Sequence, residues 1–370
     1  MKKLRIAAFG FRSIPPEDGS AGSDKFAMEL YPRLVKQNIE VTAYNRIYNK
    51  GIPKRNDSFQ GVKLVNIKTV QTSGFDTFVH SIKTTFHIIF FNTGDVVHIH
   101  NGGNSIFALI LRIFGKKIVI SQDGIDWKRD KWQWYAKFYL FLSAFITAYI
   151  PHKVVFDNIF SKSLFEKKFK KQFDYVPYGC EVKLEKEDES ILDSLKLKKG
   201  EYFLFVGRFI PDKGLQYLIP AFEKVETTKK LILVGNSPNA SAFGQKIKNT
   251  IDERIIFPGY IYGDDTTILM KNAYAYIQPS DIEGLSPVIL TIMGLGVPLI
   301  CSDIKENLFL VQQDAIIFKK SSISDLTEKI EFALKNPLKI KELAKNAQAR
   351  ALQHFSWEKI TDNYIKIFSE

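Results

Sequence analysis

The amino-acid sequence predicts an α/β protein made of two doubly wound, Rossmann-like halves. Three observations predict it. Short apolar strands alternate with helical patterns through most of the chain, which implies parallel sheets covered on both faces. The alternation is interrupted at 181–200, where the composition shifts to a mixed-charge, aromatic-poor run, EVKLEKEDESILDSLKLKKG, and then restarts. The length of 370 residues favours two domains over one.

Taken in order, the first half opens with an apolar strand at 5–9. Apolar residues at helical spacing follow at 26–36, then a strand-like run at 40–44. Strand-like runs at 96–99, 118–120 and 154–156 continue the series, with a helical pattern at 105–114. The second half repeats the scheme with strands at 202–206, 230–234, 255–257 and 275–278, and helical patterns at 214–225 and 266–271. Helical patterns at 325–334, 338–353 and 357–368 close the chain. The expected organisation is 1–180, a linker at 181–200, 201–352, and a last amphipathic helix at 353–370. Ligands of such sheets bind beyond the carboxyl ends of the strands, here in a cleft between the halves.

A hydrophobic content of 45% with 25% charged residues describes an ordinary globular chain. The N-terminal MKKLRIAAFGFRS reads as a first strand rather than a signal peptide. The longest uncharged apolar run, 138–150, is too short to span a bilayer. Cys180 and Cys301 are too few and too far apart for a disulfide framework or a zinc site, which points to a reducing compartment. The net charge of +12 has three candidate partners, namely nucleic acid, an anionic bilayer surface or phosphorylated substrates. A lysine-rich composition that only keeps the chain soluble is the alternative. Nucleic acid fits least, because basic and aromatic residues are not interleaved in any recognisable binding module.

The richest stretch for chemistry is 275–301, AYIQPSDIEGLSPVILTIMGLGVPLIC. A buried strand breaks at Pro279 into an acidic turn carrying Glu283, and a helix starts with Ser286 as N-cap and Pro287 at the first helical position. Free N–H groups there favour an anion, and the carboxylate accepts hydrogen bonds from sugar hydroxyls. An ordinary strand-to-helix turn is the plain alternative. After the strand at 202–206, Arg208 and Lys213 project from one loop. Two cations there suit a diphosphate, Arg as a bidentate fork and Lys as a point charge.

In the first half the long loop 10–23 lacks GxGxxG, so a dinucleotide fingerprint is absent, and Gly22 and Ser23 directly precede a helix. His98 and His100 share one face of a strand end, either as structural or as substrate-facing groups; a metal would need a third ligand and a carboxylate. Asp123 follows a strand, where an acid or acceptor could meet a reacting group. The aromatic-rich 132–150 is either a core helix or a face touching a lipid acceptor or membrane. SKSLFEKKFKK at 161–171 is either a solvated basic face or a site of attraction to anionic lipid.

Together these residues resemble a retaining GT-B glycosyltransferase of the family 4 type (glycosyl transferases group 1). VGRFIPDKG is similar to the family's diphosphate loop, EGLSPVILTIMGLGVPLICSD to its donor-sugar segment, and HFSWEKITDNYIKIF to its C-terminal helix, which in this fold crosses back to the first domain. DVVHIHNGG and DGIDWKRDKW resemble the rhamnosyltransferase-like subgroup. The resemblance implies metal-independent transfer, with retention, from a nucleoside-diphosphate sugar (UDP-, GDP- or dTDP-linked) to a glycan, lipid-linked or protein-linked acceptor. No cofactor is implied, and the expected location is cytoplasmic, at the inner face of a membrane with peripheral contact. It assigns Arg208 and Lys213 to the diphosphate, Glu283 to the donor sugar, and the backbone of Gly284, Leu285 and Ser286 to the donor pocket. Gly22 faces the donor from the opposite domain, and Asp123 stands where many relatives carry a donor-positioning histidine. The family's second glutamate, which grips the ribose diol, is replaced by Thr291. A hydroxyl cannot offer two acceptor oxygens, a loss of about 1–3 kcal/mol for one charge-assisted hydrogen bond. A deoxyribose donor such as a dTDP-sugar lacks the 2′-OH and would not miss it. A second reading takes Thr291 as the mark of a degenerate donor site in a non-catalytic partner of a glycan-assembly complex, and a GT-B sugar-nucleotide epimerase is a third, weaker one.

Overall fold

The computed structural model describes all residues except 1–2, 17–21, 49–56, 71, 73–74, 123, 126–132, 182–183, 185–187 and 238–240. The chain divides into two compact units, Met1–Tyr178 with Trp357–Glu370, and Gly179–Ser356.

The first unit runs β1 (Arg5–Phe9), α1 (Gly22–Lys36), β2 (Glu40–Ile47), β3 (Ser58–Phe59), β4 (Val62–Lys68), α2 (Phe75–Phe91), β5 (Val96–His100), α3 (Ile106–Ile113), β6 (Lys117–Gln122), α4 (Trp134–Tyr149), β7 (Lys153–Phe156), α5 (Ile159–Phe169) and β8 (Asp174–Tyr175). Its sheet has the order β3-β4-β2-β1-β5-β6-β7-β8, parallel except for the short β3–β4 pair. The central strands are apolar and buried, as strands covered on both faces must be. Right-handed crossovers put α2, α3, α4 and α5 on one face and α1 on the other.

The second unit runs α6 (Ser190–Ser194), β9 (Tyr202–Val206), α7 (Leu215–Glu223), β10 (Lys230–Val234), α8 (Ala242–Lys248), β11 (Ile255–Gly259), α9 (Gly263–Lys271), β12 (Ala275–Gln278), α10 (Pro287–Leu295), β13 (Leu299–Ser302), α11 (Lys305–Val311), β14 (Ile316–Phe318), α12 (Ile323–Lys335) and α13 (Pro337–His354). Its six strands, in the order β11-β10-β9-β12-β13-β14, are all parallel. The core under this sheet combines Phe203, Phe205, Leu218, Phe222 and Leu231 with Ile277, Ile300 and Leu326. The stretch expected as a linker holds α6, whose Leu192 is buried, and belongs to this unit. Cys180 N donates to Phe355 O at 2.8 Å, so the points where the chain enters and leaves this unit are hydrogen-bonded neighbours.

The last helix, α14 (Trp357–Ser369), returns to the first unit and packs on α1. Phe26 is central to that contact, with its ring 5.6 Å from Trp357 and 5.5 Å from Tyr364, and Arg33 stacks over Trp357 at 5.2 Å. Lys117 Nζ donates to Phe368 O at 2.8 Å. A sheet of this kind needs helices on both faces, and α14 supplies one that the local chain around α1 does not.

Candidate functional site

In the second unit the strand order reverses direction between β9 and β12, and ligands of open parallel sheets gather beyond the carboxyl ends at such a point. The loop after β9 carries Arg208 and Lys213; the loop after β12 carries Glu283. Two features bring the loops together. Gly214 has φ +74°, and a Cβ there would lie 1.9 Å from Pro279 O. Both the backbone conformation and the space therefore require glycine. Asp281 N also donates to Asp212 O at 2.9 Å.

Lys213 Nζ meets Glu283 Oε1 at 2.5 Å. The same oxygen accepts from Gln278 Nε2 at 2.5 Å and from Ser280 Oγ at 2.7 Å. Gln278 is itself oriented by the buried Tyr276, whose hydroxyl donates to Gln278 Oε1 at 2.9 Å, leaving the amide nitrogen to face Glu283. Burial pushes the Tyr276 phenol up, so it stays protonated and keeps that donor. Beneath them Ser302 Oγ donates to Ser280 O at 2.5 Å, and Asn307 Nδ2 donates to Ser302 O at 3.1 Å. Glu283 is thus seated by three donors on one oxygen. Arg208, by contrast, is exposed, and its guanidinium has no hydrogen-bond or ion-pair partner among the described residues.

The next helix, α10, starts as expected. Ser286 is the N-cap, its Oγ accepting from Ile289 N at 3.4 Å, with Pro287 at the first position. Gly284 is exposed, Leu285 half-buried and Ser286 buried. The helix passes through Gly294 to Leu295 and caps at Gly296 with φ +68°. Gly294 is there for space, since a Cβ would lie 2.4 Å from Cys180 O. Thr291 is half-buried on α10, one turn beyond Pro287, and no side-chain hydrogen bond holds it among the described residues.

In the first unit Gly22 is exposed and forms the first residue of α1 rather than preceding it. Asp123 lies outside the described residues, as does most of the DGIDWKRDKW run. His98 and His100 are fully buried on β5 and converge on the Tyr31 hydroxyl, at 2.9 Å from His98 Nδ1 and 2.6 Å from His100 Nε2. That hydroxyl has one proton, so one imidazole must donate to it and the other accept. His98 Nε2 also lies 2.7 Å from Ser121 Oγ, which lies 2.9 Å from Tyr364 OH on α14. Burial drives both imidazoles down, His100 to about 3, so both stay neutral. Sequence reasoning paired the histidines but missed this tyrosine and serine, and it missed Gln278 and Ser280 beside Glu283. A polar residue ending an otherwise apolar strand, as Gln278 does, was the available signal. No cluster of three or more His, Cys, Asp or Glu able to hold a metal occurs among the described residues, and no helix among them is long and apolar enough to cross a membrane.

Two parallel-sheet units with a returning C-terminal helix define a GT-B fold, with two Rossmann-like domains. Residues 187–350, inside the second unit, match the family described as "Glycosyl transferases group 1". The chain is 25% identical over 184 residues to O-antigen chain mannosyltransferase B of Escherichia coli, covering 48% of each chain. The chain spans about half the length of the curated relatives it matches. Sucrose-phosphate synthase from Thermosynechococcus elongatus superposes with a TM-score of 0.83 at 18% identity, over 99% of this chain and 98% of that one. Anabaena HepE in complex with UDP and glucose gives 0.79 at 16% identity, over 99% of both.

Proposed function

We propose that this protein is a metal-independent, retaining glycosyltransferase that moves a sugar from a nucleoside diphosphate to a glycan, lipid-linked or protein-linked acceptor. The observation that carries this reading is the seated Lys213–Glu283 pair at the reversal point of the second sheet, beside the exposed Arg208. Lys213 has three N–H donors and uses one on Glu283, which leaves two for phosphate oxygens. Arg208 adds a planar fork with no competing partner among the described residues. The two cations stabilise negative charge as it develops on the departing diphosphate, a role that needs no metal. The Glu283 carboxylate accepts from donor-sugar hydroxyls, and the N–H groups of Gly284, Leu285 and Ser286 line the pocket at the start of α10. Gly22 and Asp123 of the first unit are assigned to the donor by the family resemblance alone. The UDP and glucose bound by HepE support a nucleotide-sugar donor.

Calorimetry with UDP, GDP and dTDP, followed by a product assay with nucleotide sugars and acceptors, tests the reading. Arg208→Ala and Lys213→Ala are each expected to weaken nucleoside-diphosphate binding by about tenfold or more, the worth of a charge-assisted hydrogen bond. Unchanged binding in both variants would remove these residues from the site. Thr291 favours one second reading, a non-catalytic partner in a glycan-assembly complex. Such a protein binds none of the three nucleotides.

A further inference from the structure

Two helices of the first unit are built inside out. On α4, Trp134, Phe138, Phe141, Phe145 and Tyr149 recur at helical spacing, within about 80° of arc at 3.6 residues per turn. All five are exposed, Trp134 at 80% and Phe138 at 68%. The side that faces the protein carries Ile146 and otherwise the small residues Ser143, Ala144, Thr147 and Ala148. On α2 the buried side carries His80, Ser81, Thr84, Thr85 and Ile88, while Phe86 and Phe90 stack on each other outside, Phe90 at 77% exposure. Between these helices α3 exposes Ile113 at 82%. α3 packs against both α2 and α4, so the exposed apolar residues sit on three neighbouring helices. A monomer in water gains nothing from this arrangement, and a patch of this extent marks an interaction surface.

The charge around the patch says what covers it. Segments 75–91, 106–113 and 134–149 carry one cation each (Lys83, Arg112 and Lys137), and 159–171 carries five, against Asp76 and Glu166 alone. The lysines border the aromatics directly. Lys168 Nζ lies 4.9 Å over the Phe141 ring, and Lys171 Nζ lies 5.9 Å over Tyr149. A second copy of the same face would bring two cationic rims together. An anionic bilayer takes both components, the rings at the acyl boundary and the ammonium groups at the headgroups.

We infer that the α2–α3–α4 face, rimmed by the lysines of α5, lies on the surface of an anionic membrane. This inference is independent of the donor-site reading, because lipid binding is measured without sugar transfer. The full chain is sedimented with phosphatidylcholine vesicles and with vesicles containing phosphatidylglycerol. Two paired variants are compared, F138S with F145S, and K167E with K168E, after circular dichroism confirms that each is folded. The expected result is binding to the anionic vesicles, weakened about tenfold or more by either pair and weakened by salt. Absence of binding at low salt, or full binding by the folded aromatic variant, would overturn it. So would a dimer in sedimentation velocity that the aromatic variant dissolves.

Discussion

At the scale of single residues, the candidate site depends on where hydrogen-bond donors point. Glu283 accepts three bonds on one oxygen, so its position is set by Lys213, Gln278 and Ser280 rather than by its own rotamer preference. Two of those donors are neutral, so Lys213 is also the charge that offsets the carboxylate. Thr291 gives the sharpest residue-level test. If it occupies the ribose position, Thr291→Glu restores a two-oxygen acceptor for the diol, and UDP binding should tighten relative to dTDP by about tenfold. An unchanged ratio of the two affinities in calorimetry would take Thr291 out of the ribose pocket. Arg208, Lys213 and Glu283 were legible in the sequence because each follows an apolar strand run by a few residues. Their mutual contact was not, since Lys213 and Glu283 are 70 positions apart.

At the scale of elements, the close approach of two loops governs the site. Gly214 allows the turn after β9 to lie against Pro279, in a left-handed backbone conformation that other residues reach at a cost. Gly214→Ala adds that strain to a steric clash and should destabilise the second unit by about 2–4 kcal/mol. The thermal unfolding midpoint reads this, and nucleotide binding should fall with it because Lys213 is the preceding residue. A wild-type midpoint would mean that the turn relaxes freely. Most elements with apolar residues facing inward were read from periodicity to within a few positions, including the N-cap of α10, whereas β4, α8, α11 and β14 were not. The helix α2 was missed entirely. Periodicity arguments assume that the apolar stripe is buried, and α2 buries His80 and threonines while exposing phenylalanines.

At the scale of the whole molecule, α14 ties the end of the chain into the first unit through a buried polar chain. Tyr31, His98, Ser121 and Tyr364 come from α1, β5, β6 and α14 and are linked in series, with His100 of β5 joining at the Tyr31 hydroxyl. Its histidines make stability depend on pH, and the sign follows from their depressed pKa values. The folded state holds His98 and His100 neutral, while the unfolded chain protonates near pH 6.5. Stability is therefore complete above about pH 6.5 and falls on acidification, by about 1.4 kcal/mol per pH unit for each such group, until the folded pKa is reached. For His100 that limit is about 3. Unfolding midpoints measured from pH 7 to pH 4 should decline, and His100→Gln should reduce the slope. A flat profile would mean that these imidazoles take up protons in the fold as readily as in the unfolded chain.

Two βα series, their strand and helix types and the loops bearing Arg208, Lys213 and Glu283 follow from local patterns, because apolar periodicity and turn chemistry act over a few residues. Long-range contact decided the rest. The strand order that puts the β9 and β12 loops side by side, the Gln278–Ser280 support beneath Glu283 and the membership of α14 in the first unit all arise between distant segments. So does the outward aromatic face of α2 and α4. Which side of a helix is buried is set by what packs against it, and the sheet and its neighbours settle that only once the chain has folded.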